Sequence, residues 1–414
     1  ISLGGNASTF GILSSGSLEG GNITITSTTG EIDASRGALK SDSTNGMGGN
    51  VTLEAEGNIT TTAIDSRSTN ADAGAIQIIS NSGDVDTTLG RLKSSSSLGS
   101  GGDVTITAAG NITTDDILAD GEYNQNNSSA NGGNITITST SGTIDTTASL
   151  LTSLASNNAG NVNFTAARDI LTGGIYSYSS GSGTGGSISL ESTGGIVDTT
   201  LGPLVSYSTT GTGGDVTISA WNNISLGGNA STFGILSSGS LEGGNITITS
   251  TTGEIDASRG ALKSDSTNGM GGNVTLEAEG NITTTAIDSR STNADAGAIQ
   301  IISNSGDVDT TLGRLKSSSS LGSGGDVTIT AAGNITTDDI FADGEYNQIN
   351  SSANGGNITI TSTGGAIDTT AGELTSFASN NAGNVNFTAA RDILTGAIYS
   401  YSSGSGTGGS ISLE

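Results

Sequence analysis

Gly20-Gly21-Asn22-Ile23-Thr24-Ile25-Thr26-Ser27-Thr28 returns unchanged as Gly132-Gly133-Asn134-Ile135-Thr136-Ile137-Thr138-Ser139-Thr140. Within it, Ile23-Thr24-Ile25-Thr26 alternates apolar and polar residues with period two, the pattern of a strand that buries one face. A turn glycine and a second short strand follow, Gly30-Glu31-Ile32-Asp33, and then a third, Gly37-Ala38-Leu39-Lys40-Ser41. Three strand signals separated by Gly and small polar residues make one turn of a three-sided coil.

The same turn recurs along the whole chain. Its first apolar residue falls at Ile23, Val51, Ile76, Val104, Ile135, Val162, Ile188 and Val216, then at Ile246. That is eight steps in 246 − 23 = 223 residues, or 223/8, near 28 per turn. The second-strand position is apolar in every turn (Ile32, Ile59, Val85, Ile112, Ile144, Ile170, Val197, Ile224), and so is the third (Leu39, Ile64, Leu92, Ile117, Leu151, Ile175, Leu204, Ile235). A disordered chain has no reason to keep two such registers. Four aliphatic side chains cannot offset the entropy of ordering one turn, so the turns must stack. The expected fold is all-β: a right-handed parallel β-helix, a three-sided β-solenoid of about 28 residues per turn and about 15 turns, continuous over 1–414. Its predicted inward column contains Ile23, Ile25, Ile32, Leu39, Val51, Ile59, Ile64, Val85, Leu92, Val104, Ile112 and Ile117.

A larger repeat overlies this period. Ile1-Ser2-Leu3-Gly4-Gly5 reappears as Ile224-Ser225-Leu226-Gly227-Gly228, an offset of 224 − 1 = 223. Residues 1–223 are a first long repeat and 224–414 a second, truncated copy, with eight substitutions between them. These include Leu118/Phe341, Asn126/Ile349, Leu150/Glu373 and Leu154/Phe377.

Composition narrows the function classes. Of 414 residues 67 are Gly, Cys and His are absent, and only 3% are aromatic, so neither a disulfide framework nor a thiolate or imidazole metal site can form. The balance of 12 basic and 39 acidic residues, 12 − 39 = −27, repels nucleic acid. No apolar run is long enough to span a bilayer as a helix, so no membrane insertion is expected. Ile1-Ser2-Leu3 has no signal-peptide character, which reads as an internal piece of a longer precursor.

The GGNITITST, GxIDTT and AxGNITT segments resemble those of filamentous-haemagglutinin-like bacterial exoproteins in their Ser/Thr/Gly-rich repeat regions. The resemblance covers nearly the whole chain and speaks to architecture. It implies a secreted or cell-surface adhesin shaft, exported through an outer-membrane partner of the two-partner-secretion type. It also implies adhesion or extracellular filament and biofilm-matrix formation.

Several residues qualify as sites. Asp33, Asp86, Asp145 and Asp198 recur every second turn and are the metal-ligand candidates, since calcium takes hard oxygen donors. No calcium-type nonapeptide repeats, and a solvated acidic face is the better reading, so no cofactor is expected. Thr24/Thr26, Thr105/Thr107 and Thr136/Thr138 resemble ice-binding arrays, interrupted by Glu54, Ile79 and Glu191; Thr also simply suits an exposed strand. Glycosylation triplets at Asn6, Asn22, Asn50 and Asn127 arise readily by chance in such a composition. The longest loop, Asp120–Ala130, carries Glu122 and Tyr123; with Tyr176, Tyr178 and Tyr207 these are the expected contact-loop residues, suited to glycans or to other copies of the chain. Near-identical copies leave no unique cleft for catalysis, which points away from an enzyme and towards a structural or adhesive protein.

Overall fold

The computed structural model describes residues 2–124, 129–227, 234–345 and 352–414, and among these every ordered element is a strand. The chain forms two compact units, Ile1–Gly211 and Thr212–Glu414. Their boundary lies 224 − 212 = 12 residues ahead of the sequence-repeat junction. Asn127 and the Asn126/Ile349 difference lie outside the described residues.

Each unit is a β-solenoid. In the first, strands Ile23–Ser27, Val51–Ala55, Ile76–Ser80, Val104–Ala108, Ile135–Ser139, Val162–Ala166 and Ile188–Ser192 stack in parallel. Their register is the one the repeat demands, Ile23 on Val51, Ile76, Val104, Ile135, Val162 and Ile188 in turn. With Ser2–Leu3 on Thr26–Ser27 this first stack has seven pairings, and the second unit has seven of its own. The total is about 14 turns with strands about 27 residues apart, slightly below the expected count.

Second and third stacks follow from the shorter strands, Ile32–Ala34 on Ile59–Thr61 and Leu39–Lys40 on Ile64–Asp65. They are not fully separate faces. Ile144–Ala155 runs unbroken through both positions and pairs with Ile170–Ser179, its register shifting between Thr146 and Leu150. This fuses the second and third stacks into one sheet; Ile367–Ala378 and Ile393–Ser402 do the same in the second unit.

The inward column is closed to water. All twelve residues predicted for it are buried, none above 4% exposure. Beside it runs a polar column that the apolar pattern does not reveal. Ser41, Ser66, Ser94, Ser153, Ser177 and Ser206 follow the third strands and are 0% exposed, with Ala119 in the fourth position. Their hydroxyls donate to the carbonyls of the glycines that open their own turns, Ser66 to Gly49 at 2.5 Å and Ser153 to Gly133 at 2.8 Å. The Ser66 carbonyl accepts the N–H of Gly74, which opens the next turn, at 3.0 Å. This packing explains the Gly-Gly step: a Cβ at Gly74 would lie 2.5 Å from Ser66 Oγ and from the carbonyls of Gly48 and Gly49.

Asn and Asp perform a second task at the corners. Asn58 Oδ1 accepts the N–H of Asp84 at 2.8 Å, Asp84 that of Asn111 at 2.6 Å, and Asn111 that of Thr143 at 3.0 Å. Another ladder runs Asp103, Asn134, Asn161 and Ser187 at the entrance to the first stack. Where backbone pairing lapses, a side-chain oxygen takes over the upward hydrogen bond.

Candidate functional site

The outward side of the third stack carries most of the positive charge. Lys40, Asp65 and Lys93 stand in register on successive turns, an alternating + − + ladder. Arg36, Lys40, Arg67, Arg91 and Lys93 all lie on or beside these strands, and the same five recur 223 residues on, so ten of the twelve basic residues belong to this surface. The sequence reading missed it, although the signal was present in Leu39-Lys40, Ile64-Asp65 and Leu92-Lys93 once the third strands were aligned. Arg67 Nε meets Asp65 Oδ1 at 2.6 Å and Arg91 Nε meets Asp116 Oδ2 at 2.9 Å. Lys93 and its counterpart Lys316 differ: among the described residues neither has a carboxylate within 4.0 Å.

Next to this ladder lies a groove, present in both units. In the first it is about 320 Å³ and is lined by Arg67, Lys93, Ser95–Ser97, Leu118, Asp120 and Gly121–Asn124. In the second it is about 560 Å³, and its lining includes Arg290, Lys316, Ser318–Ser320, Phe341, Asp343 and Glu345, each 223 residues further on. The one change among these equivalents is Leu118 to Phe341.

The floor of the groove is built by buried carboxylates. Asp120 accepts the Leu154 N–H at 2.9 Å and the Thr152 hydroxyl at 3.0 Å, tying the loop to the next turn. Burial pushes its carboxyl above the usual range, with those hydrogen bonds and Lys93 opposing, and Asp343 is raised for the same reason. Glu122 was expected among the contact residues but is only 1% exposed. Its carboxylate accepts Ser156 Oγ at 2.7 Å and the Asn124 N–H at 2.5 Å, because a buried charge must be hydrogen-bonded. Glu122 is therefore a strut. Tyr123 is 44% exposed at the rim, its carbonyl accepting the Ser180 hydroxyl at 2.6 Å.

The other expected contact residues lie on strands, contrary to the loop placement. Tyr176 and Tyr178 belong to Ile170–Ser179 and Tyr207 to Leu204–Ser208, all on the third stack and half-buried. The rings of Tyr178 and Tyr207 are stacked, 5.5 Å apart and 3° from parallel, because register places one above the other. In the second unit Phe377, which replaces Leu154, meets Tyr401 edge-on at 6.2 Å.

The four Asp candidates for metal binding serve their own turns. Asp86 Oδ1 accepts the Thr88 N–H at 2.9 Å and its hydroxyl at 2.6 Å; Asp145 binds Thr147 likewise, Asp33 binds Ser35 and Asp198 the Thr200 N–H. Hydrogen bonds from Ser35 hold the Asp33 carboxyl below its ordinary range. Register sets Asp33 and Asp86 on opposite sides of Thr60, two turns apart. Among the described residues no three acidic side chains converge as a metal cluster, and no helix is long and apolar enough to cross a membrane.

Comparison with protein-family models, with curated proteins and with solved structures found no match.

Proposed function

We propose that this chain is a non-catalytic shaft segment of a secreted or cell-surface bacterial fibre protein, acting in adhesion or extracellular matrix assembly. A β-solenoid fits a structural repeat protein. The observation that carries the reading is that side chains at the inward positions and at the corners bond one turn to the next, in two near-identical units. Such a body resists extension because parallel ladders load many hydrogen bonds together. Export by a dedicated outer-membrane partner, and association with other copies or with glycans, belong to the same proposal through the resemblance of the repeats.

Single-molecule pulling between the two ends tests it. The expected trace is a series of rupture events, each releasing chain in multiples of a turn. A single low-force release of the whole chain would overturn the shaft reading, as would turnover of a polysaccharide by the purified protein. A second reading has one observation in its favour, since Thr105 stands on Thr136 and Thr107 on Thr138 as an ice-binding lattice would require. Gln77 and Ile79 interrupt the array on the adjacent turn.

A further inference from the structure

We infer that the paired grooves beside the third-stack charge ladder bind a linear acidic saccharide, with Lys93 and Lys316 receiving its carboxylates. This deepens the adhesive half of the reading above by naming a ligand class and a place. Three observations converge on it. Each groove has the volume of a pocket for a few sugar rings, and the same one is built twice from equivalent residues. An ammonium without a carboxylate partner stands in each, in a chain whose net charge is −27. The walls are rows of hydroxyls, Ser95–Ser97 and Ser318–Ser320, with a single larger apolar surface at Leu118 or Phe341.

The lining sorts the possible ligands. A lipid would need apolar walls, and these are polar. A nucleic acid presents one phosphate per nucleotide, which Asp65 and Asp120 and the acidic surroundings repel. A saccharide with acidic and neutral sugars in alternation suits the ladder better. Lys40 and Lys93 are two strands apart, about 9–10 Å, of the order of one disaccharide, and Asp65 between them faces the neutral sugar's hydroxyls. Tyr123 in the first groove and Phe341 in the second offer ring surface for the apolar face of a pyranose.

Calorimetry on the full chain tests this with three probes: a tetrasaccharide alternating glucuronic acid and N-acetylglucosamine, its carboxyl-reduced neutral form, and inorganic phosphate. The expected result is two equivalents of the acidic tetrasaccharide per chain and binding about tenfold weaker for the neutral form, as loss of a charge-assisted hydrogen bond implies. Lys93→Gln with Lys316→Gln should weaken the acidic tetrasaccharide similarly, while Arg168→Gln with Arg391→Gln, exposed and away from the grooves, should not. No heat with the acidic tetrasaccharide overturns the inference. So does equal affinity for the neutral form, an unaffected lysine variant, or phosphate competing at equal concentration. None of these outcomes touches the pulling experiment, so the shaft reading stands or falls separately.

Discussion

At the scale of single residues, the solenoid depends on side chains that are small as much as on those that are apolar. Gly74 has three oxygens where its Cβ would sit, so Gly74→Ala should cost about 3 kcal/mol through overpacking. Gly57, whose Cβ would meet nothing nearer than 3.3 Å, should tolerate the same change, and urea midpoints compare the two. Ile112 is fully buried between Val85 and Ile144. Ile112→Asp places an unpaired charge there and should cost more than about 4 kcal/mol, with new protease cleavage in that turn and its neighbours. An unchanged midpoint would refute the inward assignment. Asp120 makes a pH prediction. Its folded-state carboxyl is raised by burial, so its contribution favours the folded state below the unfolded pKa and is lost as pH rises through the folded one. Asp120→Asn keeps an oxygen for the Leu154 N–H and removes the buried charge. The variant should gain stability relative to the parent as pH rises towards neutrality, measured as urea midpoints across the acid range.

At the scale of the element, turns differ in pairs for a reason visible in their hydrogen bonds. First-stack strands end alternately in Ser and Ala, Ser27, Ala55, Ser80, Ala108, Ser139 and Ala166. Each Ser hydroxyl reaches a carbonyl of the preceding turn, Ser80 to Gly57 at 2.8 Å and Ser139 to Gly110 at 2.6 Å, and also accepts from its own turn, Gly83 N–H on Ser80 Oγ at 3.0 Å. The Asp-containing second strands follow the Ser-ending first strands, so each pair of turns is one bonded unit. The corner ladders add to this. Asn111→Ala deprives the Thr143 N–H of its partner and should cost about 1 kcal/mol. Hydrogen exchange should locate the loss at Thr143, and protection there equal to the parent's would contradict the ladder.

Across the whole molecule, the charge of −27 acts against the compact state through self-repulsion, and stacking at a strand spacing of about 4.8 Å brings like charges together. Register relieves this locally: Asp33 stands on Thr60 and Asp86 on Thr113, so second-stack carboxylates avoid one another. The third stack alternates sign instead, Lys40 on Asp65 on Lys93. The remaining repulsion is solvent-exposed and should be screened. The urea midpoint should therefore rise between ~10 and ~200 mM sodium chloride, as the Debye length falls from about 30 to below 10 Å. A fall would mean that the exposed ion pairs outweigh the repulsion.

The strands, their period, their inward residues and the duplication were all readable from the sequence, because each rests on a local signal: alternation over five residues, or recurrence at a constant spacing. Ile23, Ile32 and Leu39 announce their faces without reference to any partner. The groove did not announce itself. Glu122 lies in a polar loop with the composition of a contact site, and only the hydroxyl of Ser156, 34 residues away, reveals that it is buried. Tyr123 is anchored by Ser180, 57 residues on, and the Lys40–Asp65–Lys93 ladder exists only once register is known. The buried serines are equally silent, since a hydroxyl in a Ser-rich chain carries no mark of the carbonyl it will meet. What a residue does to its own backbone is written locally; what it faces is decided by which turn comes to rest upon it.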